Sequence, residues 1–177
     1  MPAHSATRPV PGEFTPYFGT YIDKVPDGDV IGVLESGIGT TRKLLGSVSE
    51  ARAGYRYAEG KWSLKEVLGH MSDTERIFTY RLLTFARGDA GPLPGYDENS
   101  FTPAQESDRV PFAWLLDEFV TVRAATLALL KVIPPAAWER RGVASKNPLS
   151  ARAAAWIIAG HEIHHRRVLE ERYLNAP

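Results

Sequence analysis

Four stretches of this sequence repeat apolar residues at three- to four-residue spacing over helical lengths, and no stretch alternates apolar and polar residues convincingly enough to read as a strand. The first runs from about Asp29 to Glu50 on Val30, Leu34, Ile38, Leu45 and Val48, weakened by Gly32, Gly37 and Gly39. The second opens on the capping box Ser63-Leu64-Lys65-Glu66, continues through Val67, Met71, Phe78 and Leu82, and ends near Arg87-Gly88. The third starts near Asp108, carries Phe112, Leu115, Phe119 and Leu130, and stops before Pro134-Pro135. The fourth starts near Asn147-Pro148, a cap followed by a first-turn proline, and runs to about Tyr173. Such a pattern predicts an all-α chain whose helices bury their stripes against one another as a bundle.

The flanking segments are read by their turn formers. Residues 1–28, with Pro2, Pro9, Pro11, Gly12, Pro16 and Pro26, read as an extended arm with no helix of its own, and residues 29–177 as the bundle domain. The segment Gly88–Ser107 is a long loop with Pro92, Pro94, Gly95 and Pro103, and loops of this length in compact domains often serve function. Its aromatics Tyr96 and Phe101 are expected near the entrance of any site in the bundle.

A chain of 177 residues can bury a core without staples, so a metal it holds is expected to serve function rather than folding. The 21 basic and 21 acidic residues cancel, which argues against a nucleic-acid partner. There is no cysteine, which excludes disulfides, thiolate ligands from the chain and a cysteine nucleophile. With no signal-like N-terminus and no long apolar run, the expected setting is the cytoplasm, without a membrane partner.

Chemistry concentrates in the fourth helix, at His161-Glu162-Ile163-His164-His165. Residues four apart share a helix face. Ala154, Ile157, Ile158, Val168 and Leu169 define the buried stripe; His161 and His165 straddle its centre and His164 falls toward its edge. Two imidazoles one turn apart and aimed at the core can share one metal ion, whereas buried without an ion each ring nitrogen would need another partner. The segment also spells HExxH, but the glycine and third histidine that follow in the related proteases are missing after His165. Glu162 sits beside the stripe and reads as an exposed helix glutamate, a role beside the metal being the alternative. For a third ligand, His4 lies in the arm and is a poor choice; His70 lies on the flank of the second helix's apolar face, with Asp73 and Glu75 as competitors.

Three segments then carry a resemblance. Trp62-Ser63-Leu64-Lys65-Glu66-Val67-Leu68-Gly69-His70-Met71-Ser72-Asp73-Thr74-Glu75-Arg76 resembles the second-helix signature of the DinB/YfiT-like superfamily. Ala86-Arg87-Gly88-Asp89 with Leu93-Pro94-Gly95-Tyr96-Asp97 resembles its inter-helix loop, and Gly160-His161-Glu162-Ile163-His164-His165-Arg166 its last-helix signature. The resemblance spans roughly residues 30–174 and implies an up-down-down-up four-helix bundle. It also implies a metal held by His70, His161 and His165, with His164 a neighbour and not a ligand.

The expected cofactors are a divalent metal ion, zinc or nickel, and on one reading a low-molecular-weight thiol. Three neutral imidazoles leave the ion its charge and an open position, which can activate a water or hold a thiol as thiolate. The functional expectation is a metal-dependent enzyme acting on a small molecule, a thiol-dependent S-transferase for small electrophiles, with metal-dependent hydrolysis or a non-catalytic metal-binding stress protein as alternatives. A homodimer is expected from the family.

Overall fold

The computed structural model describes residues 6–175, and the fold is mostly helical. In chain order the helices are α1 (Pro16–Ile22), α2 (Val30–Leu45), α3 (Glu50–Ala53), α4 (Leu64–Ala86), α5 (Glu98–Ala104), α6 (Phe112–Leu130) and α7 (Ala151–Val168), the last running into a π-helical end, Leu169–Leu174. α4 packs against α6 and α7, and α2 closes the ring against the same two.

Capping chemistry fixes where the long helices begin. Asp29 accepts from the Ile31 amide at 3.0 Å to start α2. Ser63 and Glu66 satisfy each other's backbone donors at the head of α4, at 3.1 and 2.7 Å. Ser150 accepts from the Ala153 amide at 3.0 Å to start α7.

The core divides into two clusters. One gathers Val30, Ile31 and Leu34 of α2 with Phe78, Leu82 and Phe85 of α4, Leu127 and Leu130 of α6 and the first half of α7. The other gathers Leu45, Leu64, Val67, Leu68, Phe112, Leu115, Leu169 and Tyr173.

Three expectations are corrected. The arm is not helix-free: Pro16 occupies the first turn of α1, behind the N-cap Thr15, and α1 lies on α7. The segment around it is tied down by polar contacts. The Glu13 carboxylate is fully buried, accepting from Ser150 Oγ at 2.6 Å and from Arg152 Nε at 2.8 Å. Burial alone would raise its pKa, but these bonds and the Arg152 charge hold it at about 2. Arg8 donates to the carbonyls of Ile22 and Val25 at 3.0 and 2.6 Å, and Trp156 Nε1 to that of Ala6 at 2.9 Å.

The second correction is a hairpin where none was expected. β1 (Arg141–Ala144) pairs antiparallel with β2 (Asn147–Ser150), Arg141 opposite Ser150. Asn147-Pro148 therefore starts a strand, and α7 begins four residues later. The two turn residues Ser145 and Lys146 take positive φ, 52° and 64°, as a tight two-residue hairpin requires. The third correction concerns smaller boundaries: α6 begins at Phe112, behind a 3₁₀ turn at Ser107–Arg109, and the α4–α6 connection contains α5. That connection is also pinned to the hairpin: the Val143 and Leu93 amides donate to the Ala90 and Val143 carbonyls, each at 2.8 Å. Among the described residues, no helix is long and apolar enough to cross a membrane.

Candidate metal centre

His70 projects from the first half of α4, and His161 and His165 from one face of α7, where the two helices pack. Their ring nitrogens lie within 4.8 Å of one another. His70 Nε2 and His161 Nε2 are 3.0 Å apart, and the ring centroids are separated by 4.9, 4.9 and 4.4 Å. His70 and His161 are buried and His165 half-buried.

Burial, reinforced by the neighbouring imidazoles, holds all three rings in the neutral form. His70 is lowered to about 4, chiefly by burial and then by His164, while His161 and His165 lie well below the usual histidine range. Neutral imidazole is the metal-binding form. The donor set fits a divalent cation on a further ground: His165 Nδ1 is sealed from solvent and has no hydrogen-bond partner among the described residues. On the far side of His70, Nδ1 lies 3.5 Å from Thr74 Oγ1 and 3.4 Å from Tyr96 Oη. A proton on Nδ1 leaves the Nε2 lone pair facing the other two rings.

The remaining candidates go elsewhere. His164 is half-buried, edge-on to Tyr21 at 5.5 Å, and stands outside the trio; His4 lies outside the described residues. Asp73 pairs with Gln105 and Arg76. Glu75 and Glu162 are both buried against Arg123: Glu75 accepts from Nε and Nη2 at 2.8 Å each, Glu162 from Nη1 at 2.6 Å and from Thr41 Oγ1 at 2.7 Å. The reading of Glu162 as an exposed helix glutamate is thus corrected; its carboxylate is 4% exposed because α6 supplies a cation for it.

The family model described as the DinB superfamily matches residues 34–169. The chain belongs to the DinB superfamily. Among solved structures it is similar to YfiT from Bacillus subtilis, described as a probable metal-dependent hydrolase with an unusual four-helix bundle topology. The TM-score is 0.73 and the identity 18%, over 80% of this chain and 82% of that one. It is also similar to the mycothiol-dependent maleylpyruvate isomerase, with a TM-score of 0.66 and 14% identity. That likeness covers 81% of this chain but 61% of the isomerase, so this chain spans less than two thirds of that protein. At these identities the likeness establishes the fold. A search of curated proteins finds no match by sequence.

Beside the histidines of this DinB-superfamily chain lies a cavity of about 220 Å³, walled by His70, His161, Tyr21, Tyr96, Arg81 and Glu98 among others. The long connection shapes it as expected, through Tyr96; Phe101 packs edge-on against Tyr96 at 4.9 Å and is half exposed. Burial pushes the Tyr21 and Tyr96 phenols up, so both remain protonated donors at neutral pH. Trp62 covers His70 at 4.9 Å and Tyr21 sits edge-on to His161 at 5.3 Å.

Tyr21 and Arg81 were not singled out in the sequence. Tyr21 stands ahead of the family match and on a segment whose prolines masked its helix. Arg81 was within reach of a helical wheel: eleven residues after His70, it returns to within about 20° of the same face.

Tyr21 reaches His161 because α7 has no side chain at Gly160. A Cβ there would collide with the Tyr21 carbonyl, a backbone atom that cannot step aside. Gly160→Ala is therefore expected to push α1 off α7 and to destabilise the fold by about 1–3 kcal/mol. A melting curve reads the cost, and increased solvent quenching of tyrosine fluorescence reads the opened wall. An unchanged melting temperature would show that α1 does not rest on that contact.

Proposed function

We propose that this protein is a metal-dependent enzyme acting on a small molecule, with a divalent ion on His70, His161 and His165. The observation that carries the reading is the convergence of three neutral ring nitrogens within 4.8 Å, with His70 and His161 on the wall of a cavity. Bound there, a zinc or nickel ion would supply Lewis acidity, lowering the pKa of a water or thiol at its open position. The chain's own residues do the rest. Thr74 and Tyr96 fix the His70 tautomer, and Trp62 and Tyr21 keep bulk water from the rings. The Tyr21 and Tyr96 phenols offer hydrogen bonds to the substrate, and Glu98 is the carboxylate on the cavity wall positioned to take up a proton.

A low-molecular-weight thiol is the first reading for the group that meets the ion, as donor in S-transfer to a small electrophile. A chain with no cysteine must obtain its sulfur from outside, and a structural neighbour is mycothiol-dependent. Hydrolysis is the second reading, favoured by the Glu98 carboxylate in the cavity and by the description of YfiT. Two further readings accompany these. The four long helices follow an up-down-down-up order, supported by the way the first halves of α2 and α7 share one core cluster with the second halves of α4 and α6. Residues 1–28 are read as an arm to a bundle domain of residues 29–177, a division supported by the docking of residues 6–28 on α7 and the start of that helix.

Cobalt-loaded protein tested with 2-mercaptoethanol, and zinc-loaded protein tested with 4-nitrophenyl acetate, separate the two chemistries. A sulfur-to-cobalt charge-transfer band with release of about one proton per thiol supports the first. Ester turnover without thiol, lost in His161→Ala, supports the second. If metal-replete protein shows neither, the enzymatic reading falls and metal binding without catalysis replaces it.

A further inference from the structure

Two arginines are deeply buried, and their surroundings differ. Arg123 is fully buried and neutralised by two carboxylates. Arg81 is 4% exposed and, among the described residues, has no carboxylate within ion-pair distance. Its Nη2 donates to the Pro94 carbonyl at 3.1 Å and to Ser145 Oγ at 2.9 Å. Those two bonds and the Phe78 ring, whose centroid lies 5.0 Å from the guanidinium carbon, hold the group in place but supply no negative charge, and Nε and Nη1 have no hydrogen-bond partner among the described residues.

Arg81 stands on the cavity wall, and its two unbonded nitrogens are not sealed off. Among the described residues, the polar side-chain atoms sealed without a partner are Thr102 Oγ1, Trp138 Nε1 and His165 Nδ1; Nε and Nη1 of Arg81 are not among them, and Arg81 lines the cavity that His70 and His161 also line. A cation kept from water without a counter-ion is costly. Burial accordingly lowers the Arg81 pKa, although a guanidinium stays protonated.

We propose that Arg81 is the anion-binding residue of this cavity and that the natural small-molecule ligand carries a carboxylate, placed against Nε and Nη1 while another part of the molecule reaches His70 and His161. A carboxylate rather than a phosphate fits the charge on the walls. One arginine balances one negative charge, and the Glu98 carboxylate on the same wall would repel a second. This inference concerns Arg81 itself and stands whether or not a thiol or a water meets the histidines.

The test uses full-length protein freed of metal by chelation, so that no probe can bind an ion. Benzoate, its uncharged analogue benzamide and phenyl phosphate are titrated by calorimetry, and the Arg81 Nε–H resonance, identified by its absence in Arg81→Lys, is followed by NMR. Benzoate is expected to bind at least about tenfold more tightly than benzamide and to shift the Arg81 resonance, with the preference lost in Arg81→Gln. Equal binding of benzoate and benzamide, tighter binding of phenyl phosphate, or an unmoved Arg81 resonance would overturn the proposal. These readings come from the wild-type chain, so they decide the matter even if Arg81→Gln fails to fold. Loss of the metal chemistry with intact benzoate binding would instead fault the metal reading alone.

Discussion

Arg123→Met is expected to destabilise the protein by about 3–5 kcal/mol, because it leaves Glu75 buried with no cation and Glu162 with only Arg166 at 3.5 Å. Arg123 is fully buried, and Glu75 and Glu162 are 3% and 4% exposed, so water cannot screen the orphaned charges. Burial alone would lower the Arg123 pKa; the two carboxylates outweigh it and hold the guanidinium firmly charged. For a chain of this length each kcal/mol moves the melting point by about 2–4 °C, so the drop should exceed roughly 6 °C. The triple variant Arg123→Met, Glu75→Gln, Glu162→Gln should recover most of the loss, since it removes the stranded charges as well as the cation. A single variant as stable as wild type would show that the network contributes no stability. Position matters as much as energy here. Glu162 lies between the two α7 histidines in sequence, and its bond to an α6 arginine sets the rotation of α7. The single variant should therefore also weaken metal binding, even though Arg123 touches none of the three rings.

The long helices and the histidine faces were legible because both follow from residue spacing alone. His161 and His165 share a face by arithmetic, and the Ser63–Glu66 capping box fixed the start of α4 to the residue. What escaped depends on pairing between distant segments. Nothing local marks Glu162 as buried: its partner Arg123 is 39 residues away, on another helix. The glycines that seemed to weaken α2 have a tertiary explanation at Gly37, where a Cβ would stand 2.5 Å from a Glu162 carboxylate oxygen. The bare helix surface is what admits that carboxylate. The hairpin escaped because its strands are four residues each, too short to show alternation, and Asn147-Pro148 imitates a helix start. α1 escaped because its prolines suggest extended chain, although proline in a first turn is as good a signal for a helix.

The His161→Ala, His165→Ala double variant is expected to bind no stoichiometric zinc, cobalt or nickel. Loss of residues that merely orient a ligand costs about 10–100-fold in affinity, and loss of two direct donors should cost well beyond that. Elemental analysis after dialysis reads the result; metal content equal to wild type would sink the assignment. Circular dichroism should still show a folded helical protein, because the two core clusters do not depend on the ion. Acid should release the metal from wild type, since protons compete for the same lone pairs. The metal-free protein has a pH dependence of its own. His70 titrates at about 4 when folded, against about 6.5 in an unfolded chain, and burial lowers His161 and His165 well below the usual histidine range too. Between those values the unfolded chain takes up protons that the folded chain refuses, so stability falls as pH drops from 7 toward 4. The His70 shift alone corresponds to about 3 kcal/mol over that window. Removing His161 and His165 deletes two of the three buried rings that must stay neutral, so the melting temperature of the metal-free double variant should change less between pH 7 and pH 5 than that of metal-free wild type. If the two profiles are parallel, the α7 histidines are not held neutral by burial, and the preformed, proton-free site inferred from their geometry would have to be given up.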